Sequence, residues 1–160
     1  MSISDNGLNL RKCFRNRFKN IILIINTIYM SDKSTTLRAF NNHFDEFVND
    51  ILSVFPENTD IRSAKNIVLM ARKANVTIIA KLWFSSIYSP YKEKIDSGDL
   101  DFFINKDYSE DLNGMNNSND ILSSIDSLRK PIAEMSDVNK EHSLKYIQNL
   151  GKLSQLYNSF

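Results

Sequence analysis

Apolar side chains recur along this chain at three- and four-residue steps, the spacing that places them on one face of a helix. From about Thr35 to Phe55 the pattern is carried by Leu37, Phe40, Phe44, Phe47, Val48, Ile51, Leu52 and Phe55. Ser34 or Thr35 can cap its start, and Pro56 marks its stop. A second helix is predicted over about Asp60 to Ala74, with Ile61, Ala64, Ile67, Val68 and Ala71 turned inward. A third begins after Asn75, a candidate N-cap, and runs through Val76, Ile79, Leu82, Trp83 and Ile87. Ile78, Phe84 and Tyr88 widen its apolar face, so it is expected to touch neighbours on several sides. Trp83 is the chain's only tryptophan. An aromatic of that size buries about 150–250 Å², which makes this the central helix. Pro90 is expected to end it, because proline lacks the N–H and disfavours helix at the residue before it.

The rest of the chain continues in helical pieces. Tyr91 to Ile95 reads as a short helical turn closed by Ser97-Gly98, and Asp99 to Asp111 as a short helix whose aromatic side folds back on the bundle. Asn113 to Asn119 is a loop. A further helix starts at Asn119 or Asp120 and keeps its period through Ile121, Ile125, Leu128, Ile132 and Met135, with a kink or break expected near Lys130 because of Pro131. Ser136 caps a last helix that carries Leu144, Ile147, Leu150, Leu153 and Tyr157. Gly151 inside it costs about 1 kcal/mol relative to Ala unless close packing compensates. No strand alternation and no internal repeat appear. The predicted fold is all-α, a single-domain bundle of about five helices.

Length and composition agree. A chain of 160 residues suggests one domain, and at that size about 68–70% of the unfolded surface can be buried without a disulfide or metal staple. The single Cys13 has no partner for an internal disulfide, which fits a reducing compartment. Residues 1–30 differ: five basic residues, Arg11, Lys12, Arg15, Arg17 and Lys19, oppose Asp5 alone, and the apolar run Ile21 to Met30 follows. That run is too short to span a bilayer, which takes about 20 apolar residues. It resembles the first two regions of a signal peptide, but no small-x-small cleavage site follows. Residues 1–29 are therefore read as a basic and apolar N-terminal extension outside the fold, and residues 30–160 as the bundle domain. An uncleaved anchor and a folded segment are the alternatives.

Candidate chemistry is sparse. His43 and His142 have no second ligand at helical spacing, and His43-Phe44-Asp45-Glu46 is not the HExxH zinc motif. Asp96, Asp99, Asp101, Asp107, Glu110 and Asp111 cluster within sixteen residues. Hard cations need several oxygens, but the EF-hand spacing is missing and helix-capping carboxylates account for such a stretch. No nucleophile elbow, P-loop or dinucleotide fingerprint occurs, and no cofactor is expected. The basic counterpart is Arg62, Lys65, Arg72 and Lys73, with Lys81 beyond, in a stretch without an acid from Ile61 to Ile87. These four are the candidate binding residues, read as one helical sector opposite Ile61 and Val68 that could contact phosphates. The competing reading is a solvated face balanced by the acidic 96–111 segment, in keeping with a formal net charge of +1.

Several phrases occur together: FNNHFDEF from Phe40, VFPEN from Val54, SPYKEKI from Ser89, GDLDFFINKDY from Gly98, IDSLRKPI from Ile125 and YIQNLGKLSQLY from Tyr146. Over roughly Met30 to Phe160 the chain resembles a family of short, uncharacterised all-helical proteins encoded by large nucleocytoplasmic DNA viruses, mimivirus-like and phycodnavirus-like. Heavy use of Asn, Ile, Lys and Ser fits such AT-rich genomes. The resemblance implies an all-helical fold, Met30 as the natural start, and a place in the host cytoplasm or the virion. It carries no active-site residue. The functional expectation is a non-enzymatic helical binding or structural module, such as a viral assembly or replication accessory, with a protein as partner. The alternative is a nucleic-acid-associated protein that uses the basic helix face.

Overall fold

The computed structural model describes residues 32–114 and 118–160, and every regular element in them is helical. The expectations for residues 1–29 lie outside the described residues. Helix α1 spans Lys33–Val54, α2 Thr59–Ala74, α3 Ile78–Leu82, α4 Ser89–Ser97, α5 Leu100–Asn105, α6 Ser118–Ala133 and α7 Asp137–Ser159. A π-helical segment, Trp83–Tyr88, joins α3 to α4.

The caps explain the boundaries. Asp32, rather than Ser34 or Thr35, starts α1: its carboxylate accepts from the Thr35 N–H at 2.8 Å, and this bond holds its pKa below the usual carboxylate range. Asn58 caps α2 by accepting from the N–H groups of Asp60 and Ile61, both at 3.0 Å. Asn75 ends α2 instead of starting the next helix; its amide oxygen accepts from the Thr77 N–H and hydroxyl, shaping the joint. Gly98 closes α4 at φ 80°, a left-handed conformation suited to glycine. Ser136 accepts from the Asn139 N–H and starts α7 as expected.

Pro90 does not stop the central helix. Within the π segment the hydrogen bonds reach one residue further back, so the Ser89 N–H bonds the Phe84 carbonyl. The ladder then restarts as α4, and Pro90 falls in that helix's first turn, where a missing N–H is tolerated. The wider turn also brings Trp83 and Tyr88, five residues apart, into the same core.

That core is built from Phe40 of α1, Ala80 of α3, Trp83 and Tyr88 of the π segment, Ile95 of α4, and Leu150, Leu153 and Tyr157 of α7. Helices α1 and α7 pack along each other, and the π segment lies against α7. Trp83 meets Phe40 and Phe44 edge-on, with ring centroids 6.3 and 5.8 Å apart. Gly151 sits where α7 meets the Tyr88 ring, and this close packing offsets its helix penalty. His43 is a core residue, 5% exposed. Its ring lies against Tyr146 at 4.7 Å, and burial pushes its pKa down to about 4.

Helix α2 stands apart from this core. It runs back along α1 after a four-residue connection and buries only Ile61 completely.

Candidate docking face

The four basic residues predicted to form a binding strip do not lie together in solvent. Lys65 follows Ile61 by four residues and Arg72 follows Val68 by four, so one turn of helix stacks each over its apolar neighbour. Both therefore share the side that faces α1. The Arg72 guanidinium bonds the Asn41 carbonyl at 3.2 Å and the Asp45 carboxylate at 2.6 Å, and its side chain is 12% exposed. Lys65 donates to the Asn49 amide oxygen at 2.7 Å. Arg62 reaches back to the Pro56 carbonyl. Lys73 is exposed to solvent. Asn41 completes the attachment: its side-chain amide donates to the Val76 carbonyl at 3.1 Å, across the joint between α2 and α3. As residue numbers rise along α2, their partners' numbers fall along α1, which is an antiparallel hairpin fastened mainly by polar links.

The acidic 96–111 stretch is spent elsewhere, and not on α2. Asp99 caps α5 at the Phe102 N–H and pairs with Lys94 at 2.8 Å; these contacts hold its pKa low, the lysine first. Asp96 pairs with Lys92. Asp107 accepts from the Ser109 N–H. Asp111 bonds the Tyr91 hydroxyl and pairs with Lys106 at 3.0 Å, and both lower its pKa. Tyr91, Phe102, Phe103 and Tyr108 form an aromatic satellite, with Lys106 over two of its rings. Among the described residues no three His, Cys, Asp or Glu side chains are placed to hold a metal ion. No helix among them is long and apolar enough to cross a membrane.

A hollow between α1 and the start of α7 is lined by Phe47, Asp50, Ile51, Val54, Met135 and Tyr146, among others. It encloses about 20 Å³, room for about one water molecule and far too little for a small-molecule ligand. The Tyr146 hydroxyl donates to Asp50 across it at 2.6 Å.

Among the polar residues that α2 turns outward, such as Ser63 and Asn66, stand apolar ones. Ile67 is 67% exposed and Met70 is 71% exposed. Ala64 and Ala74 are exposed beside them, and Ala71 is half-buried. Ile67 and Ala64 were expected inside, so the helix is rotated from the predicted orientation. The physical cause lies in its anchors. Arg72, Lys65 and Ile61 fix one edge of the apolar face to α1, which leaves the rest of that face uncovered. Isolated apolar residues on a surface are ordinary, whereas a row of them along one helix marks an interaction surface. Comparison with protein-family models, with curated proteins and with solved structures finds no match for this chain.

Proposed function

We propose that this chain is a non-enzymatic helical binding module whose docking surface is the outer face of α2. The carrying observation is the orientation of Ile67 and Met70. Two large apolar side chains are held in solvent by a helix whose polar and charged residues Lys65 and Arg72 are turned to its own bundle. Leaving them exposed forgoes stabilisation of about 1.5–3 kcal/mol for each side chain that could be buried. A partner that covers them recovers it. In line with the resemblance to proteins of large nucleocytoplasmic DNA viruses, the module acts in assembly or as a replication accessory. Nucleic-acid binding is less well supported, because Arg62, Lys65 and Arg72 each donate to groups of this chain.

The test is a photoreactive amino acid placed at Met70 of the full chain, in native cells, with a second placement at the exposed Lys152 of α7 for comparison. Protein adducts specific to Met70 are expected. Equal or absent adducts from the two positions overturn the reading.

A further inference from the structure

We propose, resting on that reading, that the outer face of α2 pairs with α2 of a second copy of this chain, antiparallel about a two-fold axis. The residues fall into a seven-residue helical frame in which Asp60, Ala64, Ile67, Ala71 and Ala74 occupy the seam positions, three and four apart, with Asp60 at the helix start beyond the overlap of the two copies. The positions that flank such a seam are Ile61, Ser63, Val68, Met70 and Asn75, none of them charged. The basic residues Arg62, Lys65, Arg72 and Lys73 all take outer positions. A helix that is basic overall can therefore meet its own copy without setting like charges against each other. A partner recognised by charge would need those bases beside the seam.

Side-chain size points the same way. A two-fold axis passing by Leu69 sets Ile67 of one copy against Ala71 of the other, and Ala64 against Ala74. Large meets small, and small meets small, on both sides of the axis, as an isologous interface requires. Met70 then meets its own counterpart on one flank, whereas the other flank, with Ile61 and the half-buried Val68, is the side that faces α1. Antiparallel pairing also opposes the two helix dipoles. With the axis at the level of Leu69, residues 64–74 of the two copies overlap, and these eleven residues give a seam about 16 Å long. One helix face about 10 Å wide over that length covers roughly 160 Å² per partner, well below the roughly 800 Å² per partner of a standard interface, so the association is concentration-dependent and not permanent.

The experiment uses the full chain with Cys13→Ser, carrying either Met70→Cys or Arg62→Cys, oxidised mildly and read on a non-reducing gel. Both positions are exposed on the same helix, but only Met70 lies by the axis. A disulfide species of twice the chain mass from Met70→Cys and not from Arg62→Cys is expected. Sedimentation of the unmodified chain over a concentration series should show a monomer–dimer equilibrium, weakened at least tenfold by Ile67→Lys with an unchanged helical spectrum. A monomer at every concentration, or equal cross-linking from both positions, overturns the proposal. If the photoreactive group at Met70 then captures a protein other than this chain, the docking reading survives and the self-pairing falls. If it captures nothing, both fall.

Discussion

The Tyr88 ring lies directly on the backbone of Gly151. A Cβ added at Gly151 would sit 3.1 Å from the ring carbon Cγ of Tyr88 and closer still to Cδ2 and Cε2. Tyr88 is 2% exposed, and its hydroxyl is engaged by Lys92 and Asp96, so the ring has no room to retreat. Glycine here sets the distance between α7 and the π segment.

Gly151→Ala should therefore destabilise the protein by about 3 kcal/mol, the upper part of the range for overpacked cores, although alanine is the better helix former. In a Tyr88→Leu background the same change should cost less. A double-mutant cycle in urea measures the coupling, expected between about 0.5 and 3 kcal/mol; additive effects would remove the contact from the account.

Trp83→Ala should cost about 3–5 kcal/mol in chemical denaturation. Its ring is 9% exposed and joins Phe40 and Phe44 to the π segment. An unfolding midpoint within error of the parent would place the ring outside the core.

The two neighbours Arg72 and Lys73 should behave differently. Arg72→Ala removes a largely buried guanidinium and leaves the Asn41 carbonyl without that donor. A loss of about 1–3 kcal/mol is expected, with faster amide exchange along α2. Lys73→Ala, at an exposed position, should stay within about 0.5 kcal/mol. Equal effects at the two sites would contradict the polar fastening of α2.

His43 sets an acid dependence with a definite sign. Its folded pKa is pushed down to about 4 by burial, from an ordinary value of 6.5. Between those values the unfolded chain binds a proton that the folded chain does not, so stability rises with pH across that window and is lost as pH falls through it. The contribution is on the order of 3 kcal/mol. His43→Phe should flatten the stability profile between pH 6.5 and 4, measured by urea unfolding at several pH values. An unchanged slope would assign the acid sensitivity to the carboxylates, such as Asp99 and Asp111, whose folded pKa values lie below the usual range and whose contribution is lost at lower pH.

Much of the bundle was legible because it depends on local periodicity. The Phe40 stripe, the central Trp83, the Ser136 cap and the conditional penalty at Gly151 each need only a few neighbouring residues to be read. The π segment was not legible, since WFSSIYSP reads equally well as a helix that Pro90 ends. The orientation of α2 failed for another reason. An apolar pattern tells which face could be buried, but not whether the core has room for it. The anchors that decided the matter, Arg72 with Asp45 and Asn41 with Val76, join residues 27 and 35 apart. One signal was available: Lys65 and Arg72 lie one turn beyond Ile61 and Val68, so they could not stand opposite them.

The π segment has an evolutionary consequence. It holds one residue more than a regular helix would use to carry the chain from Trp83 to the restart at Ser89. Deleting a single residue near Ser85 or Ser86 would restore a plain helix and swing everything after it by about 100°, taking Ile95 out of the core. A substitution at either exposed serine disturbs almost nothing, whereas an insertion or deletion there turns half the bundle. Descendants of this sequence can drift far in residue identity at these positions, but the number of residues between Trp83 and Ile95 is what they must inherit unchanged.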